Sequence, residues 1–308
     1  MGNFYVTKET GESNMQKVVI AGGTGFIGKY YEKKFKDLGY EVAIISRRKQ
    51  HIPWDDRAQI KEALENAVLL INLAGKSVNC RYHQANREEI MRSRVRTTKL
   101  LGEVIRACEH PPEVWMNAST ATIYRHAEDR PMTEEKGEIG TGFSVDVATT
   151  WEETFFSFDL PKTRQIALRI AIVLGKDGGV ITPYKNLVKF GLGGPQGKGN
   201  QMFSWIHIAD LFQIVKFLYE NKELNGVFNC SSPHPVTNRE LVATFRNVMN
   251  RSFGLPSPEW LLEIGAFMIR TETELLLKSR WVLPERLEKN GYTFTFAKLE
   301  DALQDILR

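Results

Sequence analysis

A doubly wound parallel α/β sheet with a smaller, mostly helical C-terminal substrate region is the fold class this sequence predicts. Three observations carry it. Short, almost wholly apolar runs recur through the first two-thirds of the chain. Helix-periodic segments separate them. A glycine-rich turn joins the first run to the first helical segment. Unalternating apolar runs read as strands buried on both faces, and the helices between them as the crossovers that cover those faces. Right-handed crossovers then wind the sheet in both directions.

Taken in order, Lys17–Ala21 (KVVIA) reads as the first strand. Ile27, Tyr30, Tyr31, Phe35 and Leu38 follow at helical spacing, and Gly39 supplies a C-cap. Glu41–Ser46 (EVAIIS) and Ala67–Leu73 (AVLLINL) predict strands, and Arg87–Cys108 a long helix carrying Ile90, Val95, Leu100, Leu101, Val104 and Ile105. Glu113–Ala118 (EVWMNA) and Gln165–Val173 (QIALRIAIV) predict two more strands. After Gly175 the texture changes: five glycines between Gly191 and Gly199, with Pro195 among them, mark a surface loop of the kind that carries function. Thr237-Asn238-Arg239-Glu240 matches a capping box, with Leu241, Val242, Phe245 and Val248 on one face behind it. From Pro256 onward an apolar helical segment is expected, through Trp260, Leu261, Leu262, Ile264, Phe267 and Met268. Leu299, Ala302, Leu303 and Ile306 predict a docked terminal helix.

Composition excludes several classes of protein. The chain has 308 residues, of which 42% are apolar and 25% charged, values of an ordinary globular protein. No apolar run is long enough for a membrane-spanning helix. The net charge of +4 is too small to signal nucleic acid or an anionic membrane surface. Cys80, Cys108 and Cys230 are odd in number and widely spaced, which fits neither a disulfide framework nor a zinc motif. A cytoplasmic protein with reduced thiols and no metal site is the expectation. Met1–Asn14 is polar and aperiodic, and reads as a flexible N-terminal extension or the stretch before an alternative start at Met15.

The glycine turn, Gly22-Gly23-Thr24-Gly25-Phe26-Ile27-Gly28, stands between the first strand and the first helix. A dinucleotide site needs a tight turn, a backbone that a pyrophosphate can approach, and close packing of helix on strand. Gly22, Gly25 and Gly28 meet those needs, and the helix start offers free N–H groups and a positive dipole. Thr24, Phe26 and Ile27 are carried into the site with them. Which dinucleotide follows from the end of the second strand. An NAD site places a carboxylate there for the ribose 2′-hydroxyl. This chain has Ser46-Arg47-Arg48, and guanidinium pairs with a 2′-phosphate. NADP(H) is therefore expected over NAD(H), with Arg47 the better candidate for direct contact. The alternative is that these arginines are solvated surface charge. The domain organisation that follows is residues 1–14 as the extension, 15–175 as a Rossmann-type dinucleotide-binding core, 176–255 as a substrate-cleft region returning to that core, and 256–308 as a helical C-terminal domain.

Asn72-Leu73-Ala74-Gly75 and Phe203–Asp210 (FSWIHIAD) resemble motifs of the extended short-chain dehydrogenase/reductases. The resemblance is closer to one atypical branch, the NAD-dependent epimerase-family proteins with a characteristic C-terminal domain. Residues 93–98 (SRVRTT), 191–195 (GLGGP), 201–207 (QMFSWIH), and Leu276-Leu277 through 282–287 (VLPERL) carry it, and it spans residues 15 to 308. It implies NADP(H) binding, with Leu73, Ala74, Glu89, Arg94 and Val173 at positions that line the cofactor.

That resemblance also says what catalysis requires: a Ser or Thr to orient a carbonyl, a Tyr to exchange a proton, and a Lys to lower the Tyr pKa. In Ser119-Thr120-Ala121-Thr122-Ile123-Tyr124, Thr120 falls on the hydroxyl position and Ser119 is its neighbour. The Tyr-x-x-x-Lys register before Trp151-Glu152 holds Ser144 and Ala148 instead. The spacing Tyr30 to Lys34 occurs on the glycine-turn helix, where it reads as chance. Tyr124 is the substitute candidate for catalysis, with Asp146 and His207 weaker ones; His207 reads first as a structural hydrogen-bonding group. Lys76 and Arg81 are candidates for an anionic substrate group, or plain surface charge. The expected function is an NADP(H)-dependent oxidoreductase or epimerase on a small molecule. The rival is a catalytically silent NADP(H)-binding redox sensor or regulatory or assembly protein. A homodimer is compatible with the long helices such families use as interfaces.

Overall fold

The computed structural model describes residues 15–256 and 278–308. The helical segment expected from Pro256 and the Leu276-Leu277 pair lie, but for Pro256, outside the described residues, as does the N-terminal extension.

Six parallel strands form the central sheet. They are β1 (Lys17–Ala21), β2 (Glu41–Ile45), β3 (Ala67–Asn72), β4 (Val114–Thr120), β5 (Arg164–Ile170) and a late strand, β10 (Gly226–Cys230), in the spatial order β2-β1-β3-β4-β5-β10. Every pairing is parallel. A further parallel bridge, Ile45 with Ile52, extends the sheet beyond β2. The order reverses between β1 and β3, and in open α/β sheets ligands bind beyond the strand C-termini at such a point.

Helices cover both faces because the strands are apolar on both. On one side α1 (Phe26–Asp37) and α6 (Ile208–Glu220) bury Tyr31, Phe35, Leu211, Phe212 and Val215 against Val18, Ile20 and Met116. On the other, α2 (Arg57–Leu64), α3 (Gln84–Ala107) and α4 (Phe143–Phe156) bury Ile60, Leu64, Leu101, Val104 and Phe155 against Val19, Leu70 and Trp115. Gly39 has φ +82°, as a left-handed C-cap requires.

The run Gln165–Val173 is not one strand. β5 ends at Ile170, the Ala171 N–H donates to the Cys230 carbonyl, and the Ile172 N–H donates to the Ser204 carbonyl. From there β6 (Ile172–Gly175) leaves the main sheet and joins β7 (Gly178–Gly179) and β9 (Trp205–His207). A smaller core follows. In it α5 (Ile181–Lys189), α7 (Asn238–Val248) and the terminal helix bury Tyr184, Leu241, Phe245, Leu299 and Leu303. α7 begins directly after β11 (Val236–Thr237), which pairs antiparallel with β8 (Met202–Phe203). The capping box is formed: Glu240 N–H donates to Thr237 Oγ1 at 3.2 Å, and Thr237 N–H donates to Glu240 Oε2 at 2.7 Å. The C-terminal segment carries α8 (Glu285–Lys289) and α9 (Leu299–Leu307). Asp210, fully buried at the start of α6, ties that segment down by accepting from the Thr295 and Phe296 N–H groups, both at 2.8 Å.

Candidate functional site

A cleft of about 480 Å³ opens beyond the C-terminal ends of β1, β3 and β4. Its floor at one end is the glycine turn. Gly22 has φ +79°, and a Cβ there would lie 2.7 Å from the Ala74 backbone. A Cβ on Gly28 would lie 2.5 Å from Gly23, so α1 rests directly on the turn. A Cβ on Gly25 would meet nothing within 4 Å, and Gly25 is the N-cap of α1 with no side chain capping it. The helix therefore presents uncapped N–H groups to open space, and its first turn carries no carboxylate. Phe26 reaches the cleft because Gly175 and Gly178 leave room for its ring; a Cβ on either would lie 2.7 Å from it.

The end of β2 lies beside this turn, since the Gly22 N–H donates to the Ile45 carbonyl at 2.8 Å. Ser46 is buried, its Oγ 2.8 Å from His51 Nδ1 and accepting from the Arg48 N–H at 3.0 Å. That turn holds Arg47 and Arg48 outward, both exposed and without a carboxylate partner among the described residues.

Along the other wall, Asn72 fixes β3 to its neighbours. Its Nδ2 donates to Asn117 Oδ1 at 2.7 Å and Thr98 Oγ1 at 3.1 Å, and the Trp151 indole N–H donates to the same Thr98 oxygen at 2.9 Å. Leu73 lines the cleft, while Ala74 is buried under Gly22. Arg94 reaches in from α3 with its guanidinium 5.1 Å from the Trp151 ring and against Gly75. Among the described residues it donates only to the Lys76 and Ile90 carbonyls, and burial pushes its pKa down to about 10. A half-buried cation without a carboxylate partner is a feature of anion sites.

At the far end stand Ser119, Thr120, Thr122 and Ser144. Ser144 Oγ is buried with no hydrogen-bond partner among the described residues. Ser144 and Ala148, in the register where the resemblance places Tyr and Lys, both line the cleft. Ser119 Oγ donates to Glu152 Oε1 at 2.5 Å, and Glu152 is ion-paired with Arg169 at 2.7 Å, both buried.

Of the residues expected from sequence, the cleft gathers Gly22, Gly25, Phe26, Ile27, Gly28, Leu73, Arg94, Ser119, Thr120 and Val173. Thr24 and Ala74 belong to the turn without lining the cleft, and Ser46, Arg47 and Arg48 flank it. Glu89 is turned to the surface, where it pairs with Arg92. Tyr124 departs from its expected place. Its ring is buried, its hydroxyl donates to Asn229 Oδ1 at 2.9 Å and accepts from Arg169 Nη1 at 2.8 Å, and it does not line the cleft. Burial pushes its phenol pKa up, against the help of Arg169, which is the wrong direction for proton exchange near neutral pH. His207 caps α6, its Nδ1 accepting from the Ala209 N–H at 3.2 Å. Asp146 is exposed on α4, and Lys76 Nζ donates to Asn86 at 2.6 Å.

Sequence reasoning missed Phe143, Val147 and Trp151 as wall residues. With Ser144 and Ala148 they recur at i, i+1, i+4, i+5 and i+8, a single helical face, and that periodicity was the available signal. Tyr82, 5.1 Å from Phe143 in an edge-to-face contact, and Val78 complete the wall.

Residues 18–142 match the model of the NAD dependent epimerase/dehydratase family, and residues 257–306 match a domain of unknown function, DUF1731. The chain is 31% identical over 298 residues to human "Epimerase family protein SDR39U1", covering 94% of this chain and 99% of that one. It is 28% identical to "Epimerase family protein YfhF" of Bacillus subtilis, covering 94% and 97%. A crystal structure of the human protein (isoform 2) with NADPH superposes with a TM-score of 0.86 at 30% identity, over 94% of this chain and 99% of that one. UDP-N-acetylglucosamine 4-epimerase from Bacillus cereus, 17% identical with a TM-score of 0.75 over 94% and 95%, shares the fold. The chain belongs to the NAD-dependent epimerase/dehydratase family, and within it to the atypical extended short-chain dehydrogenase/reductases that carry the DUF1731 domain.

Proposed function

We propose that this protein binds NADP(H) in preference to NAD(H) and acts as an oxidoreductase or epimerase on a small molecule. The observation that carries the reading is the pair of exposed arginines, Arg47 and Arg48, held at the end of β2 beside the glycine turn with no carboxylate from Ser46 to Gln50. The residues present fit the cofactor. Gly25 leaves the turn open where a pyrophosphate would meet the start of α1, and Gly22 and Gly28 leave no room for a side chain. Arg47, with Arg48 beside it, would hold the 2′-phosphate. Leu73, Phe26 and Val173 would cover the dinucleotide and keep water from it, and Arg94 would face its negative charge. When bound, NADP(H) supplies hydride exchange at the nicotinamide. Thr120 and Ser144 would orient a ligand oxygen at the hydroxyl-lined end.

A second reading is a silent NADP(H)-binding sensor. It is favoured by Ser144 and Ala148, which cannot exchange a proton at neutral pH as a Tyr–Lys pair does. The experiment that separates the two follows NADPH oxidation across a panel of carbonyl compounds, with nucleotide binding measured on the same protein. Turnover of any member is the expected result. Tight NADPH binding without turnover, together with a co-purifying protein, gives the sensor.

A further inference from the structure

We propose that the substrate of this cleft is an uncharged, flat and apolar carbonyl compound of the quinone class, and not a sugar or a sugar nucleotide. The inference rests on reading the cleft as the NADP(H) site, and it names the ligand class of the far end.

The lining decides between the classes. Among the described residues that line the cleft, Arg94 alone carries a charge, and no Asp, Glu, Asn, Gln, His or Lys joins it. A sugar brings a row of hydroxyls, which carboxylates and amides are suited to pair with. The diphosphate of a sugar nucleotide calls for several cations. Arg94 is a single cation, and it would face the dinucleotide. The far wall is apolar instead and partly open. Val78 is exposed, and Tyr82, Phe143 and Ile170 are half-buried. Tyr82 meets Phe143 edge to face with ring centroids 5.1 Å apart. Such rings favour a planar ligand, which can lie against them by face or edge. The cleft of about 480 Å³ also takes the reactive end of the dinucleotide, which leaves room for a small ring system and not for a second nucleotide.

Proton balance narrows the class to quinones. Reduction by NADPH moves a hydride, with its electron pair, to the substrate and leaves NADP⁺. A saturated ketone becomes an alkoxide, about as basic as hydroxide, whose parent water has a pKa of about 15.7. It must be given a proton as it forms. The register where the extended short-chain dehydrogenase/reductases hold Tyr and Lys has Ser144 and Ala148 here, a hydroxyl and a methyl. A quinone becomes a hydroquinone monoanion, a phenolate whose parent phenol has a pKa of about 10, like that of tyrosine. That anion forms without a donor at this register and takes its proton from water. NADPH, quinone and one proton thus give NADP⁺ and hydroquinone.

The test measures binding of 2,3-dimethyl-1,4-naphthoquinone, whose methylated ring does not add to thiols such as Cys80, by ligand-observed NMR on the full chain. UDP-glucose, glucose and cyclohexanone are the comparisons. The protein is saturated with NADP⁺, so that UDP-glucose is kept off the nucleotide turn, and the series is repeated without it. The naphthoquinone is expected to bind at least about tenfold more tightly than the other three, and Phe143→Ala to weaken it about tenfold. Val78→Asp, at an exposed position, should weaken it too. With NADPH present, NADP⁺ and hydroquinone should appear in equal amounts while cyclohexanone is left unreduced. No binding of the quinone, equal or tighter binding of UDP-glucose or glucose, unaltered quinone affinity in both variants, bound quinone that NADPH-loaded protein does not reduce, or cyclohexanone reduced as fast as the quinone would overturn the proposal. Nicotinamide fluorescence in the same samples reports NADPH binding separately, so that quinone binding without nucleotide binding overturns the cofactor reading and not the ligand class.

Discussion

The Gly22 N–H donates to the Ile45 carbonyl at 2.8 Å, and this one bond joins the glycine turn to the end of the neighbouring strand. It sets the basic residues that follow β2 beside the turn, so that the open backbone of the turn and the candidate selectivity residues form one surface.

The glycines of that turn separate folding from binding. Gly28→Ala puts a Cβ 2.5 Å from Gly23 backbone, which has no flexible end to yield, so it should lower Tm and abolish nucleotide binding together. Gly25→Ala meets nothing within 4 Å and lies at negative φ. Tm should hardly change, while NADPH affinity drops because the methyl stands where the pyrophosphate must approach. Thermal unfolding and fluorescence titration of the two variants check this; equal binding loss with equal Tm loss would contradict it.

Glu152 and Arg169 hold α4 to β5 through a buried pair. Glu152→Ala leaves the guanidinium buried and uncompensated, and should cost about 3–5 kcal/mol. Urea unfolding measures it. A loss below about 1 kcal/mol, the range of exposed pairs, would mean that water reaches Arg169.

Tyr124 is a structural residue in this account. Tyr124→Phe removes two hydrogen bonds inside the protein and should destabilise it by about 1–3 kcal/mol. NADPH affinity should stay unchanged. A selective loss of turnover with stability intact would return Tyr124 to the catalytic candidates.

Stability should fall as the solution is acidified through the histidine range. Burial holds the His207 pKa below its usual value, against the pull of Asp305 and Asp210. The unfolded chain then takes up a proton before the folded one does. Stability is complete above the unfolded value near 6.5 and is lost as pH falls toward the folded pKa. Tm measured between pH 7.5 and 5.5 should fall for the unaltered protein and fall less for His207→Asn, since asparagine can still cap α6. Identical slopes would contradict the assignment.

Much of the fold was legible because its determinants are local. Apolar runs such as Ala67–Leu73, the glycine spacing and the Thr237–Glu240 cap each act within a few residues. What was not legible depends on distant partners. The break at Ala171 is made by carbonyls of Cys230 and Ser204, which nothing in the apolar run QIALRIAIV foretells. Tyr124 follows the short 3-10 turn Ala121–Ile123, and the partners that bury it, Arg169 and Asn229, come from strands β5 and β10. Arg94 emerged from family resemblance; that it meets no carboxylate among the described residues is visible only in the folded chain.

The central claim, a nucleotide site at the glycine turn selecting NADPH through Arg47, is tested most directly by titrating the protein and its Arg47→Ala variant with NADPH and with NADH, followed by nicotinamide fluorescence. The account predicts tighter binding of NADPH, and a loss of roughly 1.5–3 kcal/mol, about ten- to a hundredfold, for NADPH alone in the variant. Equal affinity for the two nucleotides, an unaltered preference in the variant, or no binding of either would contradict it.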